Sequence, residues 1–149
     1  MGYDINFTLG TTGRIAEGAT RRDLPRGGQY KIPHDLNAPL HEDDLYLYVT
    51  FNYSWYFYQT MDGGLPGLEG KTTTEILPVL AEARDRIAGM VEEERRTGVV
   101  LSQTWGKGSP YSDDDTNYWS VSARNALCAL DALAAICRLA PGATMSIHY

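Results

Sequence analysis

The residues Gly70-Lys71-Thr72 come closest to a chemical motif in this chain. A phosphate-cradling loop needs Gly, four residues, then Gly-Lys-Ser/Thr, placed after a buried strand and before a helix. Here Leu65 holds the first glycine position and Gly64 lies one residue too far. No apolar strand ending in Asp is present to hold magnesium. A glycine turn ahead of a capped helix is the better reading. His34, His41, Glu42, Asp43 and Asp44 are metal-ligand types, yet they lack the tight His-x3-His or Cys-x2-Cys pairs of zinc sites. Asp113-Asp114-Asp115 lacks the spaced Asp/Asn-Gly-Glu pattern of a calcium loop. Both acidic runs read as solvated loops, so neither a metal nor a cofactor is expected. No Gly-x-Ser-x-Gly occurs. His34 or His148 beside a carboxylate is the one enzymatic arrangement left.

Binding chemistry is better supported. Leu45, Leu47, Val49, Phe51 and Tyr53 alternate with Tyr46, Tyr48, Thr50 and Asn52. Period 2 with aromatic and β-branched residues predicts a strand whose two faces differ. The first set belongs to a core; the second is polar with an aromatic centre. Tyr3, Ile5, Phe7 and Leu9 alternate in the same way with Asp4, Asn6 and Thr8. In the last residues Met145, Ile147 and Tyr149 alternate with Thr144, Ser146 and His148. If the three strands are neighbours, Asn6, Tyr46, Tyr48, Asn52 and His148 share one surface. Tyrosine favours interfaces because it joins contact area to a polar tip at low entropy cost. Trp105 and Trp119, on or near a Gly-rich loop, would extend that surface. For a nucleotide-like ligand, Lys71, Arg14 or the Arg21–Arg22 pair would supply the anion contact.

The elements that must position these residues follow from periodicity and caps. After Ser54 the alternation stops, which predicts a short helix capped by Ser54 and ended by Gly63-Gly64. Thr72-Thr-Thr-Glu75 has the form of a capping box. Ile76, Leu80, Ala83 and Ile87 then continue at helical spacing to a stop before Gly98, with Glu82–Arg86 and Glu92–Arg96 as i,i+4 pairs. Pro78 must sit in the first turns or kink this helix. A second long helix runs from near Trp119 to Pro141-Gly142; its apolar positions leave only Arg124, Asp131 and Arg138 as a polar stripe. Gln29–Ile32 and Val99–Leu101 read as brief strands, and residues 10–28 as a long, mobile loop. Strands and helices do not alternate regularly. The predicted fold is therefore α+β, one domain of residues 1–149: a small, mainly antiparallel sheet with two long helices and one short helix on one face.

Composition bounds the rest. A chain of 149 residues with 43% apolar content makes one ordinary domain. The net charge of −6 is uneven: residues 10–32 carry five basic and two acidic side chains, and the remainder is correspondingly more acidic. This balance argues against general nucleic-acid binding and against anionic membranes. No apolar run approaches the roughly 20 residues of a membrane span. Cys128 and Cys137 lie nine apart on one helix, roughly 13 Å along its axis, and cannot pair within it. Both read as core residues in a reduced, cytoplasmic setting.

Three stretches together carry a resemblance: Thr50-Phe-Asn-Tyr-Ser-Trp-Tyr-Phe-Tyr58; Gly67-Leu-Glu-Gly-Lys-Thr72 leading into Glu75-Ile-Leu-Pro-Val-Leu80; and the Ala-rich C-terminal helix followed by Pro141-Gly-Ala-Thr144 and a final strand. Over Tyr48 to Ile147 this order resembles a group of small uncharacterised accessory proteins of phage and prophage type. The resemblance implies no catalytic residues. It implies a small cytoplasmic accessory protein that binds a host protein or sequesters a small molecule. The expected function is thus non-enzymatic binding of a protein partner, or of a second copy, through the tyrosine-bearing sheet face.

Overall fold

The computed structural model describes residues 1–24, 35–102, 110–112 and 120–149. Three strands, β1 (Gly2–Thr8), β2 (Tyr46–Thr50) and β3 (Thr144–His148), form an antiparallel sheet in the order β2-β1-β3. The helices are α1 (Ser54–Thr60), α2 (Thr73–Thr97) and α3 (Ala123–Leu139). The fold is α+β, as the mixed periodicities predict. The first strand by sequence is central in space, which places the polar side chains of all three strands beside one another.

The alternation sorts the residues by burial. Tyr3, Ile5 and Phe7 of β1, Leu47 and Val49 of β2, and Met145 and Ile147 of β3 are all buried. They join one core with Ile76, Leu80, Ala83, Ile87 and Val91 of α2 and with Ala126, Leu130, Leu133, Ile136 and Cys137 of α3. Those α2 positions recur every three or four residues, so one helical stripe faces the core. The alanines of α3 let it pack closely. The Arg84–Asp131 ion pair, at 2.6 Å, joins the two helices at the surface; a pair this exposed contributes about 0–1 kcal/mol.

Caps explain most boundaries. The Thr72 hydroxyl accepts from the Glu75 amide, and the Glu75 carboxylate accepts from the Thr72 amide at 3.1 Å. This is the reciprocal capping box that the sequence predicts, and the Thr72 amide and hydroxyl, both donating to the Glu75 carboxylate, hold that carboxyl below its usual range. Gly98, at φ +76°, closes α2 in the left-handed region. Pro78 lies inside α2, near its start. The ion pair Arg86–Glu82 forms as expected, whereas Arg96 bonds Glu93 at 2.5 Å rather than Glu92, which Arg95 takes.

Several boundaries differ from the predicted ones. β2 ends at Thr50, whose side chain caps a 3-10 turn over Phe51–Tyr53 by accepting from the Asn52 amide. Aromatic residues suit either geometry, and a local hydroxyl acceptor decides for the turn. Ser54 is consequently the first residue of α1, not its cap, and α1 ends at Thr60 before the Gly63-Gly64 turn. Asn52 therefore leaves the strand alternation. α3 starts at Ala123 with Ser122 as its cap; Trp119, its expected start, lies outside the described residues. Val99 makes an isolated bridge to Pro110 rather than a strand. Cys128 is exposed, contrary to the core reading, while Cys137 is buried. Tyr149 is 75% exposed, because pairing of β3 stops at His148 and the pleat no longer holds the ring inward.

The segment from residue 10 is irregular, and its described part is tethered. The amides of Arg14 and Ala16 donate to the carbonyls of Pro141 (3.0 Å) and Leu139 (2.8 Å). The close approach needs glycine: Gly142 has φ +77°, and a Cβ there would meet the Thr12 carbonyl at 2.2 Å. The expected strand at Gln29–Ile32 lies outside the described residues. The acidic run Glu42–Asp44 is largely exposed, as expected, but forms a 3-10 turn tied to its neighbours. The Glu42 carboxylate accepts from the Leu9 amide at 2.7 Å, and Asp44 accepts from Arg21 at 3.1 Å and from the His41 amide at 2.9 Å.

One polar residue lies deep inside. Glu94 is fully buried in the last turn of α2, where the helix dipole disfavours a carboxylate. Three donors account for it: the Tyr56 hydroxyl, the Leu101 amide at 2.8 Å and the Ala123 amide at 2.8 Å. Ala123 opens α3, so this carboxylate sits at the positive end of a second helix. Glu94 joins α1, α2 and α3 in one buried network.

Candidate binding cleft on the sheet

The strand register assembles the outer face in rows. Tyr48, Asp4 and His148 are opposite one another across β2, β1 and β3; Tyr46, Asn6 and Ser146 form the next row, and Thr8 pairs with Thr144. Asn6, Tyr46 and Tyr48 are half-buried and His148 is exposed. The Tyr46 hydroxyl donates to Asp4 Oδ1, a diagonal contact between neighbouring strands. Ser146 Oγ and His148 Nε2 lie 3.5 Å apart along β3.

The Tyr48–Asp4–His148 row borders a cleft of about 370 Å³. Gly2, Met1 and Phe51 line it as well, and Tyr149 stands at its rim. Gly2 is there for a steric reason. A Cβ at Gly2 would lie 2.7 Å from the end of the Tyr48 ring and 2.4 Å from the Val49 carbonyl oxygen. The bare backbone lets the Tyr48 ring lie across β1, covering the glycine.

Behind the cleft, Tyr3 fixes the aromatic wall. Its ring meets Phe51 edge-to-face with centroids 4.7 Å apart, and Tyr149 at 6.0 Å. Its hydroxyl shares a 2.6 Å hydrogen bond with Ser54 Oγ. Burial pushes the Tyr3 phenol above its ordinary value, with Tyr58 and Tyr149 adding to the effect. Tyr58, 54% exposed on α1, is thus a near neighbour of this cluster. Met1, Phe51 and Tyr149 were not expected at the site. The alternation assigned Phe51 and Tyr149 to the core; Phe51 does pack against it while also lining the cleft, and the end of β3 at His148 turns Tyr149 to the rim.

The remaining candidates do not converge on the cleft. Arg21 pairs with Asp44, and Arg22 Nη2 donates to Asn37 at 3.1 Å. Arg14 is exposed on the tethered segment. Lys71 belongs to the chain that pairs with the outer edge of β3. The Gly70 amide donates to the Met145 carbonyl, and the Met145 amide to the Lys71 carbonyl, both at 2.9 Å. A 3-10 turn, Leu65–Leu68, precedes this stretch instead of a strand. The Gly70 amide is thereby committed to the sheet and is not offered to a phosphate. Trp105, Trp119 and His34 lie outside the described residues.

The polar row invites comparison with acid–base sites. His148 and Asp4 are register partners, but among the described residues no hydrogen bond joins them. In nucleophile–base pairs the base is commonly oriented by a third group, and among the described residues the hydrogen-bond contact of the His148 ring is that with Ser146. Burial pushes the Cys137 thiol up to about 12, away from nucleophilic use. Among the described residues no group of three or more His, Cys, Asp or Glu side chains is arranged to hold a metal ion. No helix among them is long and apolar enough to cross a membrane. No family model matches the chain, and no curated protein or solved structure matches it either.

Proposed function

We propose that this chain is a non-enzymatic binding protein, of the cytoplasmic accessory type that its sequence resembles, and that it engages a protein partner through the cleft end of its outer sheet face. The observation that carries this reading is the convergence of Tyr48, Asp4 and His148 on one cleft rimmed by the exposed Tyr149 ring. Aromatic side chains beside a concave polar group are the usual anchors of protein interfaces. A partner surface there removes Tyr149 and the half-buried Phe51 from water without moving the core.

The test is capture from lysate of the cells that produce the protein. Wild type is compared with Tyr48→Ser/Tyr149→Ser and with a control, Arg86→Ala, on exposed α2. The partner should be retained by wild type and control and lost from the double variant at unchanged fold. Equal retention by all three would overturn the reading. A second copy of this chain is one admissible partner, visible as concentration-dependent mass in sedimentation.

The cleft volume favours a second reading. About 370 Å³ falls within the range of small-molecule sites. In this reading the protein sequesters a small ligand stacked on Tyr48. Native mass spectrometry of freshly purified protein would then show a bound mass that Tyr48→Ser loses.

A further inference from the structure

We infer that the cleft accepts an arginine side chain of a partner polypeptide, an assignment that rests on the protein-binding reading above. Asp4 is the carboxylate lining the cleft. Tyr46 occupies its Oδ1 and orients the group. Among the described residues Oδ2 carries no hydrogen bond. Three aromatic residues, Tyr48, Phe51 and Tyr149, share the lining with Asp4. A carboxylate that shares a cleft with aromatic rings suits a planar, weakly hydrated cation, which can stack on a ring while donating to the free oxygen. Among the described residues no Lys or Arg side chain lines the cleft, and Arg21 and Arg84 are engaged elsewhere with Asp44 and Asp131. The net charge of −6 adds long-range attraction for a basic partner. Guanidinium chemistry is favoured over ammonium because the rings reward a flat group and only one carboxylate oxygen is open.

The probe is a short capped peptide, Gly-Arg-Gly, with Gly-citrulline-Gly as an uncharged near-isostere. Each is titrated into the full chain and followed by NMR. The arginine peptide should shift the signals of Asp4, Tyr48 and His148 and bind at least about fivefold more tightly than the citrulline peptide, the effect of roughly one cation–π contact. Added salt should weaken it, and Asp4→Asn should erase the preference. Equal affinities, no shift with either peptide, or shifts confined to residues outside the cleft would each overturn the assignment. The peptide pair needs no variant, so misfolding of Asp4→Asn cannot obscure the result. If the lysate partner is still lost on Tyr48→Ser/Tyr149→Ser while the peptides bind equally, arginine recognition fails and protein binding stands. If partner capture ignores the double variant, the protein-binding reading itself has failed.

Discussion

Tyr48 lies across Gly2, its diagonal neighbour on β1, so closely that a methyl group at Gly2 would reach within 2.7 Å of the phenol end. The bare backbone of Gly2 leaves room for the ring that any side chain there would take. It also keeps the ring beside Asp4, the register partner of Tyr48. The cleft therefore depends on an absent side chain as much as on those present.

Gly2→Ala is expected to displace the Tyr48 ring and to strain the strand at the Val49 carbonyl. The expected cost is about 1–3 kcal/mol, with weaker partner binding. Thermal unfolding and capture from lysate measure the two effects separately. Unchanged stability and binding would show that the ring is not seated on Gly2.

Tyr46→Phe removes the donor to Asp4 Oδ1 and keeps the ring. A hydrogen bond to a charged group contributes about 1.5–3 kcal/mol at most, and partial exposure reduces that. A fall in Tm of a few degrees is expected, together with reorientation of the Asp4 carboxylate. NMR shifts of Asp4 that match wild type would contradict the contact.

Glu94→Ala should be among the most damaging single changes on α2. It leaves the Tyr56 hydroxyl and the Leu101 and Ala123 amides without their acceptor. Each buried donor left unsatisfied costs about 1–3 kcal/mol. Urea unfolding should report a loss of that order, and a loss under about 1 kcal/mol would contradict the network.

Alkaline pH should destabilise the fold. Burial pushes the Cys137 thiol from 9.0 up to about 12. Burial, with the hydrogen bond to Glu94 next, pushes the Tyr56 phenol far above 10.0. Above pH 9 the unfolded chain loses a thiol proton that the folded chain keeps. Unfolding free energy then falls as pH rises, by up to about 1.4 kcal/mol per pH unit for each group. The contribution of Cys137 is fully present below pH 9 and is lost as pH rises through about 12. Cys137→Ala should flatten the first part of the decline, and Tyr56→Phe the part above pH 10. Urea midpoints that stay level from neutral pH to this range would contradict both assignments.

How much of this the sequence shows depends on the range of each interaction. The alternations around Ile5, Leu47 and Met145, and the capping box at Thr72, are local, and the structure has them as the residue types dictate. The end of β2 at Thr50 was hidden because Phe51 and Tyr53 suit a strand equally well; the deciding hydroxyl is one more local bond among many candidates. Strand order and register are non-local, so the meeting of Tyr48, Asp4 and His148 was conditional on the strands being neighbours. Glu94 carried no signal at all. A glutamate near the end of a charged helix looks solvated until Tyr56 and the start of α3 are placed around it. Tyr149 at the cleft rim was legible as an aromatic residue but not as a surface one.

The most direct test of the binding face is hydroxyl-radical footprinting of the chain alone and in complex with its captured partner. Tyr149 and Tyr58 are 75% and 54% exposed in the free chain, so both should oxidise readily there. In the complex, oxidation of Tyr149 and His148 should fall severalfold, while Val99, beyond the end of α2, stays as reactive as before. Protection confined to the exposed sides of α2 and α3, with Tyr149 and His148 unchanged, would contradict a partner site on the sheet.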